Sequence, residues 1–173
     1  MADRILVVDD EEIIRESLSF ILKKEGYDVT EASNGKEAYE KILADPFDIV
    51  VSDIEMPEMK GIELLEQITH VSPETLVVII TAHASIETAI EALRKGASDY
   101  ILKPIEFDEL IVKIHRLLEH RRLSLENKVL RQELLRKYDF AHLIGKSTAM
   151  KKVFSMLEKV APTESTVLIT GKS

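Results

Sequence analysis

Short apolar runs alternate with segments of helical spacing along the first 120 residues. Five of these runs predict strands, at about residues 5–8, 27–32, 49–53, 76–80 and 99–102. Between them, apolar residues recur every three or four positions, which is typical of the inner face of an amphipathic helix. Five strands that alternate with five helices predict an α/β fold. Its parallel sheet would have right-handed crossovers and helices on both faces.

Capping residues mark several of these helices. Gly26 stands where the first helix stops, at a position that favours glycine. Asn34, with Glu37 three residues later, predicts the N-terminus of the second helix. In the fourth helix, the spacing predicts that Ile90 and Leu93 face the core.

Polar side chains follow four of the five predicted strands: Asp9 and Asp10, Asp53, Thr81 and Lys103. Open α/β sheets place their chemistry at the carboxyl ends of the strands. Carboxylates without histidine or cysteine favour a hard cation such as Mg²⁺. A lysine and a hydroxyl beside the ion supply a charge and a donor for the oxygens of a phosphoryl group. Asp53 is then the candidate nucleophile.

Each of these residues also has a simpler interpretation. Asp9 or Asp10 alone is more often a helix cap, Thr81 alone a strand-end hydroxyl, and Lys103 alone a surface lysine. It is much rarer for all of these residues to stand together at the ends of the right strands by chance. The glycine-rich phosphate loop is missing after the first strand, which disfavours a dinucleotide or flavin cofactor.

Four stretches carry the strand ends: VVDDEE, DIEMP with the following Gly61, TAHAS, and DYILKP. Over about residues 3–122 they resemble the receiver domain of bacterial two-component response regulators. The resemblance implies a flavodoxin-like, doubly wound (βα)5 fold with strand order 2-1-3-4-5. It also implies that a partner histidine kinase phosphorylates Asp53.

The same resemblance implies a role for each site residue. Mg²⁺ would be held by Asp10, Asp53 and the backbone carbonyl of Glu55, with Asp9 acting partly through water. Thr81 and Lys103 would contact the phosphoryl oxygens.

Three further positions follow from the resemblance. Tyr100 would be an aromatic switch that turns inward together with Thr81. Glu55 and His83 would tune the rate of dephosphorylation. Lys60 stands where an acidic or amide residue is commoner in the family, which leaves the pocket itself untouched.

The helical signal after the fifth strand runs from Phe107 to about Lys137 without proline or glycine. Its second half has a seam with spacings of four, three and four, formed by Leu123, Asn127, Leu130 and Leu134. An asparagine in such a seam favours a parallel, in-register dimer. The alternative is a lone solvated helix. Basic residues lie around this helix among glutamates, which indicates a solvated surface rather than a nucleic-acid site.

The last segment predicts a helix that begins at Ser147 and a strand over residues 166–170. It resembles the opening of the ATPase domain of nitrogen-regulation-type, sigma-54-dependent transcription activators. The terminal GKS is not a complete nucleotide-binding motif, because that register needs glycine at position 166, which is Thr166. We expect a fragment with a receiver at 1–122, a coiled-coil dimerisation linker at 123–138 and a truncated ATPase start at 139–173.

Charge and composition narrow the function classes. Residues 1–105 contain 22 acidic and 10 basic side chains, which argues against nucleic-acid binding by that part. The chain has no cysteine, so disulfides and thiolate chemistry are excluded. No apolar run approaches a membrane span, and we expect a cytoplasmic protein without a membrane partner.

The two resemblances together imply a phosphorylation-controlled input module of a transcription activator, not a turnover enzyme. DNA and sigma-54 RNA polymerase would be contacted through segments absent from these residues. One alternative is a Mg²⁺-dependent phosphatase of the haloacid dehalogenase class, whose aspartyl nucleophile would be Asp9. Another is a receiver without a kinase that serves only as a dimer scaffold.

Overall fold

A computed structural model describes residues 2–82, 86–137, 147–163, 166–168 and 170. The chain forms two compact units, Met1–Leu123 and Ser124–Ser173. The elements are β1 (Arg4–Val8), α1 (Glu12–Lys24), β2 (Asp28–Ala32), α2 (Gly35–Ala44), β3 (Ile49–Asp53), α3 (Gly61–Val71), β4 (Leu76–Thr81), α4 (Ile86–Arg94), β5 (Asp99–Leu102), α5 (Phe107–Lys137) and α6 (Thr148–Val160).

The strands form one sheet in the order β2-β1-β3-β4-β5, and every pairing is parallel. This confirms the predicted flavodoxin-like topology. The central strands β1, β3 and β4 consist almost entirely of buried residues, because helices cover both faces of the sheet. Their register places Val8 beside Ser52 and Asp53 beside Ile80. The residues that end or follow these strands therefore meet at one edge.

Two apolar clusters lie on opposite faces of the sheet. One contains residues of α2, α3 and α4, including Ile42, Leu64 and Ala92. The other contains residues of α1 and α5, including Leu18 and Leu110. The alternation of side chains along each strand divides the core in this way, since successive residues point to opposite faces.

The predicted caps are present. The Asn34 side chain accepts a hydrogen bond from the Glu37 amide at 2.8 Å, and the Glu37 carboxylate accepts one from the Ser33 amide at 2.8 Å. Gly26 follows α1 with a φ of 94°, a conformation that costs glycine little. Ser147 caps α6 by accepting a hydrogen bond from the Met150 amide at 3.2 Å.

Two predictions from the pattern are wrong. Ile90 and Leu93 are 42% and 45% exposed, whereas Ala92 is fully buried. Two residues turn a helix by about 200°, so Ile90 lies almost opposite Ala92. The described residues 166–168 and 170 are not in a strand. A strand needs a neighbour for its backbone hydrogen bonds, and the described part of that unit contains none.

Helix α5 changes character along its 31 residues. Leu110, Ile114 and Leu118 are buried, whereas Leu123 and Leu130 are 58% and 52% exposed. Among the described residues, no helix combines the length and the apolar character that crossing a membrane requires.

The Glu37 carboxylate provides a test of the α2 cap. Hydrogen bonds from Lys41 and then from Ser33 lower its pKa from 4.5 to about 2. We expect Glu37→Gln to lower the free energy of unfolding at pH 7 by about 1 kcal/mol, allowing for the partial exposure of the group. Because the folded-state pKa is depressed, the contribution is complete above pH 4.5 and is lost as the pH falls toward 2.

Urea unfolding at several pH values measures this difference. The exposed Glu40→Gln on the same helix serves as the control and should change stability little at any pH. A Glu37→Gln deficit that stays constant from pH 7 to pH 3 would contradict the assignment.

Candidate functional site

A cavity of about 390 Å³ opens at the carboxyl edge of the sheet. It is lined by Asp10, Glu11, Asp53, Ile54, Glu55, Thr81, Ala82 and Lys103. Five residues predicted from the sequence therefore meet in one cavity, and they come from the ends of four strands and the loops that follow. Such an edge is the usual ligand site of an open α/β sheet.

Asp53 is the last residue of β3 and is only 5% exposed. Its Oδ2 accepts a hydrogen bond from the Glu55 amide at 3.1 Å, and its Oδ1 lies 3.1 Å from Lys103 Nζ. The loop after Asp53 returns so closely that a Cβ on Gly61 would stand 2.0 Å from the Asp53 carbonyl oxygen. Only glycine fits there.

Lys103 connects three carboxylates. Its Nζ lies 3.1 Å from Asp53, 3.3 Å from Asp9 and 3.4 Å from Glu11. Burial of the ammonium group lowers its pKa, but the contacts with Asp53 and Asp9 outweigh burial, and the net shift of the Lys103 pKa is upward. The lysine is therefore charged and can attract an anion that enters the cavity.

Asp9 lies deeper than the other acids. It is completely buried and does not line the cavity. Its Oδ1 accepts a hydrogen bond from the Glu11 amide at 2.9 Å. Burial raises the pKa of both Asp9 and Asp53, although Lys103 acts in the opposite direction on each. Two desolvated carboxylates that share one ammonium group leave the site with unbalanced negative charge.

The residues present fit a Mg²⁺ ion. Within the described ranges, no three acidic or histidine side chains come together closely enough to hold a metal by themselves. Asp10 and Asp53 nevertheless line the same cavity, next to Glu55. Two carboxylates, a backbone carbonyl and water are a set that Mg²⁺ accepts, because it keeps several waters and needs few protein ligands.

The two predicted switch residues lie on neighbouring strands. Thr81 ends β4 and is 3% exposed. Tyr100 lies in β5, half-buried against the apolar cluster under α2, α3 and α4. Lys113 of α5 donates a hydrogen bond to the Tyr100 carbonyl at 2.7 Å, and its Nζ lies 5.3 Å from the centre of the Tyr100 ring.

The structure describes some of the remaining predicted residues and not others. Leu123, Asn127 and Leu130 are exposed on α5. His83 and the Leu134 side chain lie outside the described residues. The sequence interpretation missed Glu11, which lines the cavity and contacts Lys103. The available signal was its place directly after Asp10 in the acidic run.

The comparisons with known proteins agree with this geometry. A model of the response regulator receiver domain matches residues 5–115. Transcriptional regulatory protein ZraR of Klebsiella oxytoca is 41% identical over 169 residues, which cover 98% of this chain and 37% of that protein. The chain thus spans little more than a third of this relative's length.

Solved structures give the same result. A CheY-like receiver domain protein from Methanospirillum hungatei JF-1 has a TM-score of 0.69 and 35% identity, covering 72% of this chain and 99% of that one. NtrX from Brucella abortus has a TM-score of 0.72 and 38% identity, covering 95% of this chain and 36% of that one. With the sheet order and the strand-end cavity, these matches show that the chain belongs to the response regulator receiver domain family.

Proposed function

We propose that this protein is the phospho-acceptor module of a two-component system, phosphorylated on Asp53 by a histidine kinase. One observation carries the proposal. The buried Asp53 carboxylate lies in an open cavity, 3.1 Å from a charged Lys103 and in the same lining as Thr81. A nucleophile, a cation and a hydroxyl donor are the groups that phosphoryl transfer to a carboxylate requires.

The proposed reaction transfers one phosphoryl group. A carboxylate oxygen of Asp53 attacks the phosphorus of a phosphohistidine whose ring is protonated on its other nitrogen. The phosphorus–nitrogen bond breaks, its electron pair stays on the ring, and the ring leaves as neutral imidazole. The product is an acyl phosphate on Asp53. Lys103 and Thr81 stabilise the negative charge on the equatorial oxygens. Attack by water later releases inorganic phosphate and restores the carboxylate.

Mg²⁺ would be held by Asp10, Asp53 and the backbone carbonyl of Glu55. When bound, it would supply positive charge against the two carboxylates and the incoming phosphoryl oxygens. Asp9, which does not line the cavity, would act through water and through its contact with Lys103.

The geometry disfavours the alternative phosphatase. That activity would use Asp9 as the nucleophile, but Asp9 is fully buried and does not line the cavity. Asp53, which lines the cavity, is the carboxylate that an entering substrate would meet. The protein would catalyse its own phosphorylation and dephosphorylation without acting on a separate substrate in turnover.

We infer that this receiver serves a protein that regulates sigma-54-dependent transcription. The sequence after the receiver resembles the opening of an activator ATPase domain, and the likeness to a transcriptional regulatory protein extends over 98% of this chain. Contacts with DNA and with sigma-54 RNA polymerase would belong to segments beyond these 173 residues.

The proposed output is a change in dimer packing. Phosphorylation would draw Thr81 toward the new group and let Tyr100 turn inward. Tyr100 contacts Lys113 of α5 through its carbonyl and its ring, so the change can reach the helix. The exposed Leu123 and Leu130, with Asn127 between them and Leu134 beyond, would form a parallel seam with a second copy.

Replacement of the nucleophile tests the phosphorylation site. With acetyl phosphate and Mg²⁺, we expect the wild type to gain one acid-stable, base-labile phosphoryl group, observed by intact-mass measurement. Asp53→Asn should gain none, because the amide is a poor nucleophile. Glu63→Gln, at an exposed position of α3, should label as the wild type does. Labelling of Asp53→Asn at a similar rate would place the nucleophile elsewhere.

The metal assignment predicts unequal effects of the two N-terminal acids. Asp10→Asn removes a carboxylate that lines the cavity and should abolish labelling at millimolar Mg²⁺. Asp9→Asn changes a group that acts indirectly and should weaken metal affinity by about 10- to 100-fold. A Mg²⁺ titration of the labelling rate measures both effects. Undiminished labelling in both variants would refute the assignment.

The predicted dimer seam implies that a substitution can abolish dimer formation without affecting the phosphorylation of Asp53. Leu130→Asp should give monomers in light scattering, because an unpaired charge buried in the seam costs about 3–5 kcal/mol. Asp53 should still be labelled. Gln132→Asp is the matched control, since the heptad places position 132 on the solvent side. A dimer that survives Leu130→Asp would move the interface to the first unit.

A further inference from the structure

Glu11 occupies the N-cap position of α1 without capping the helix. Its backbone is extended there, with φ −76° and ψ 106°, and its side chain forms no capping hydrogen bond. Aspartate, asparagine, serine and threonine fit this position because their short side chains reach the first helical amides. The longer Glu11 side chain extends instead to Lys103, 92 residues further along the chain, where Oε1 lies 3.4 Å from Nζ.

The three carboxylates around Lys103 differ in freedom. The side chains of Asp9 and Asp53 are 0% and 7% exposed, whereas that of Glu11 is 63% exposed. Asp9 is held by the Glu11 amide, and Asp53 by the Glu55 amide. Of these three carboxylates, Glu11 is therefore the one that can withdraw into water at little cost.

An ammonium group has three hydrogens to donate, and here three carboxylates surround it. A phosphoryl group entering the cavity needs a hydrogen bond from the same ammonium group. One existing contact must then be given up. The exposed Glu11 contact is the weakest of the three, because exposed ion pairs contribute little. The Glu11 side chain also lines the cavity through which the donor would enter.

We propose that Glu11 is a positioning residue that competes with the incoming phosphoryl group for Lys103 and thereby weakens the binding of small phosphodonors. The inference rests on the proposed phosphorylation of Asp53. Competition of this kind acts on donor binding and on the transition state alike. It therefore raises the half-saturating donor concentration and leaves the maximal rate unchanged.

Two substitutions distinguish the effect of the Glu11–Lys103 contact from the effect of the negative charge of Glu11. Glu11→Gln removes the negative charge and the ion pair together. Glu11→Asp keeps the charge at the cavity, but its side chain is shorter by one methylene, about 1.5 Å. That difference takes the carboxylate out of reach of Lys103. Aspartate at this position also finds helix amides to accept from, so its fold stability should not fall.

The experiment measures Asp53 labelling against acetyl phosphate concentration at fixed Mg²⁺. Both Glu11 variants should lower the half-saturating concentration about two- to fivefold, the range that an exposed ion pair supports, with the maximal rate unchanged. Glu12→Gln removes a neighbouring exposed charge that forms no ion pair among the described residues. It should behave as the wild type, and thermal unfolding should show all variants folded.

Each outcome has one meaning. A Glu11→Gln variant with the wild-type half-saturating concentration overturns the inference. A Glu11→Asp variant with the wild-type half-saturating concentration also overturns it, because the effect of Glu11→Gln would then come from the charge alone. A Glu12→Gln variant with the same half-saturating concentration as Glu11→Gln overturns it as well. If the wild type is not labelled on Asp53 at all, the proposed function fails before Glu11 is tested.

Discussion

The Lys103 ammonium group lies between the buried carboxylates of Asp9 and Asp53, at 3.3 and 3.1 Å. Without it, two largely desolvated anions would share the end of the sheet, with little solvent contact to reduce their repulsion. An ion pair of this kind adds little net stability, since desolvation consumes much of the attraction. The contribution of the ion pair is to fix the position of the Lys103 ammonium group. It keeps a cation where a phosphoryl group would arrive.

That arrangement depends on the register of the sheet. Asp9 follows β1, Asp53 ends β3 and Lys103 follows β5, so three parallel strands must end at the same level. The close return of the loop at Gly61, where a Cβ would meet the Asp53 carbonyl oxygen at 2.0 Å, fixes the backbone beside the nucleophile. A larger residue there would displace the strand end and change every distance to Lys103.

Most of this could be predicted from the sequence, because strand ends are set by local signals. The apolar runs before Asp9 and Asp53 are buried strands, and parallel pairing brings their ends together. Two features could not be predicted. A helical period does not show which side of α4 faces the sheet when Ala92 competes with Ile90 and Leu93. Nor does spacing show that Glu11 reaches Lys103, since that contact joins residues far apart in the chain.

Helix α5 shows how one element serves two environments. Leu110, Ile114 and Leu118 are buried in the sheet-facing cluster, whereas Val112 of the same stretch is 66% exposed. Arg121 then pairs with Asp48 and donates to the Glu74 carbonyl at 3.0 Å, which fastens the helix to the loops before β3 and β4. Among the described side chains of α5 after Arg121, the apolar ones are exposed. Lys113 contacts Asp99 and the Tyr100 carbonyl at the start of β5, so Lys113 and Arg121 both attach this helix to the sheet and its loops.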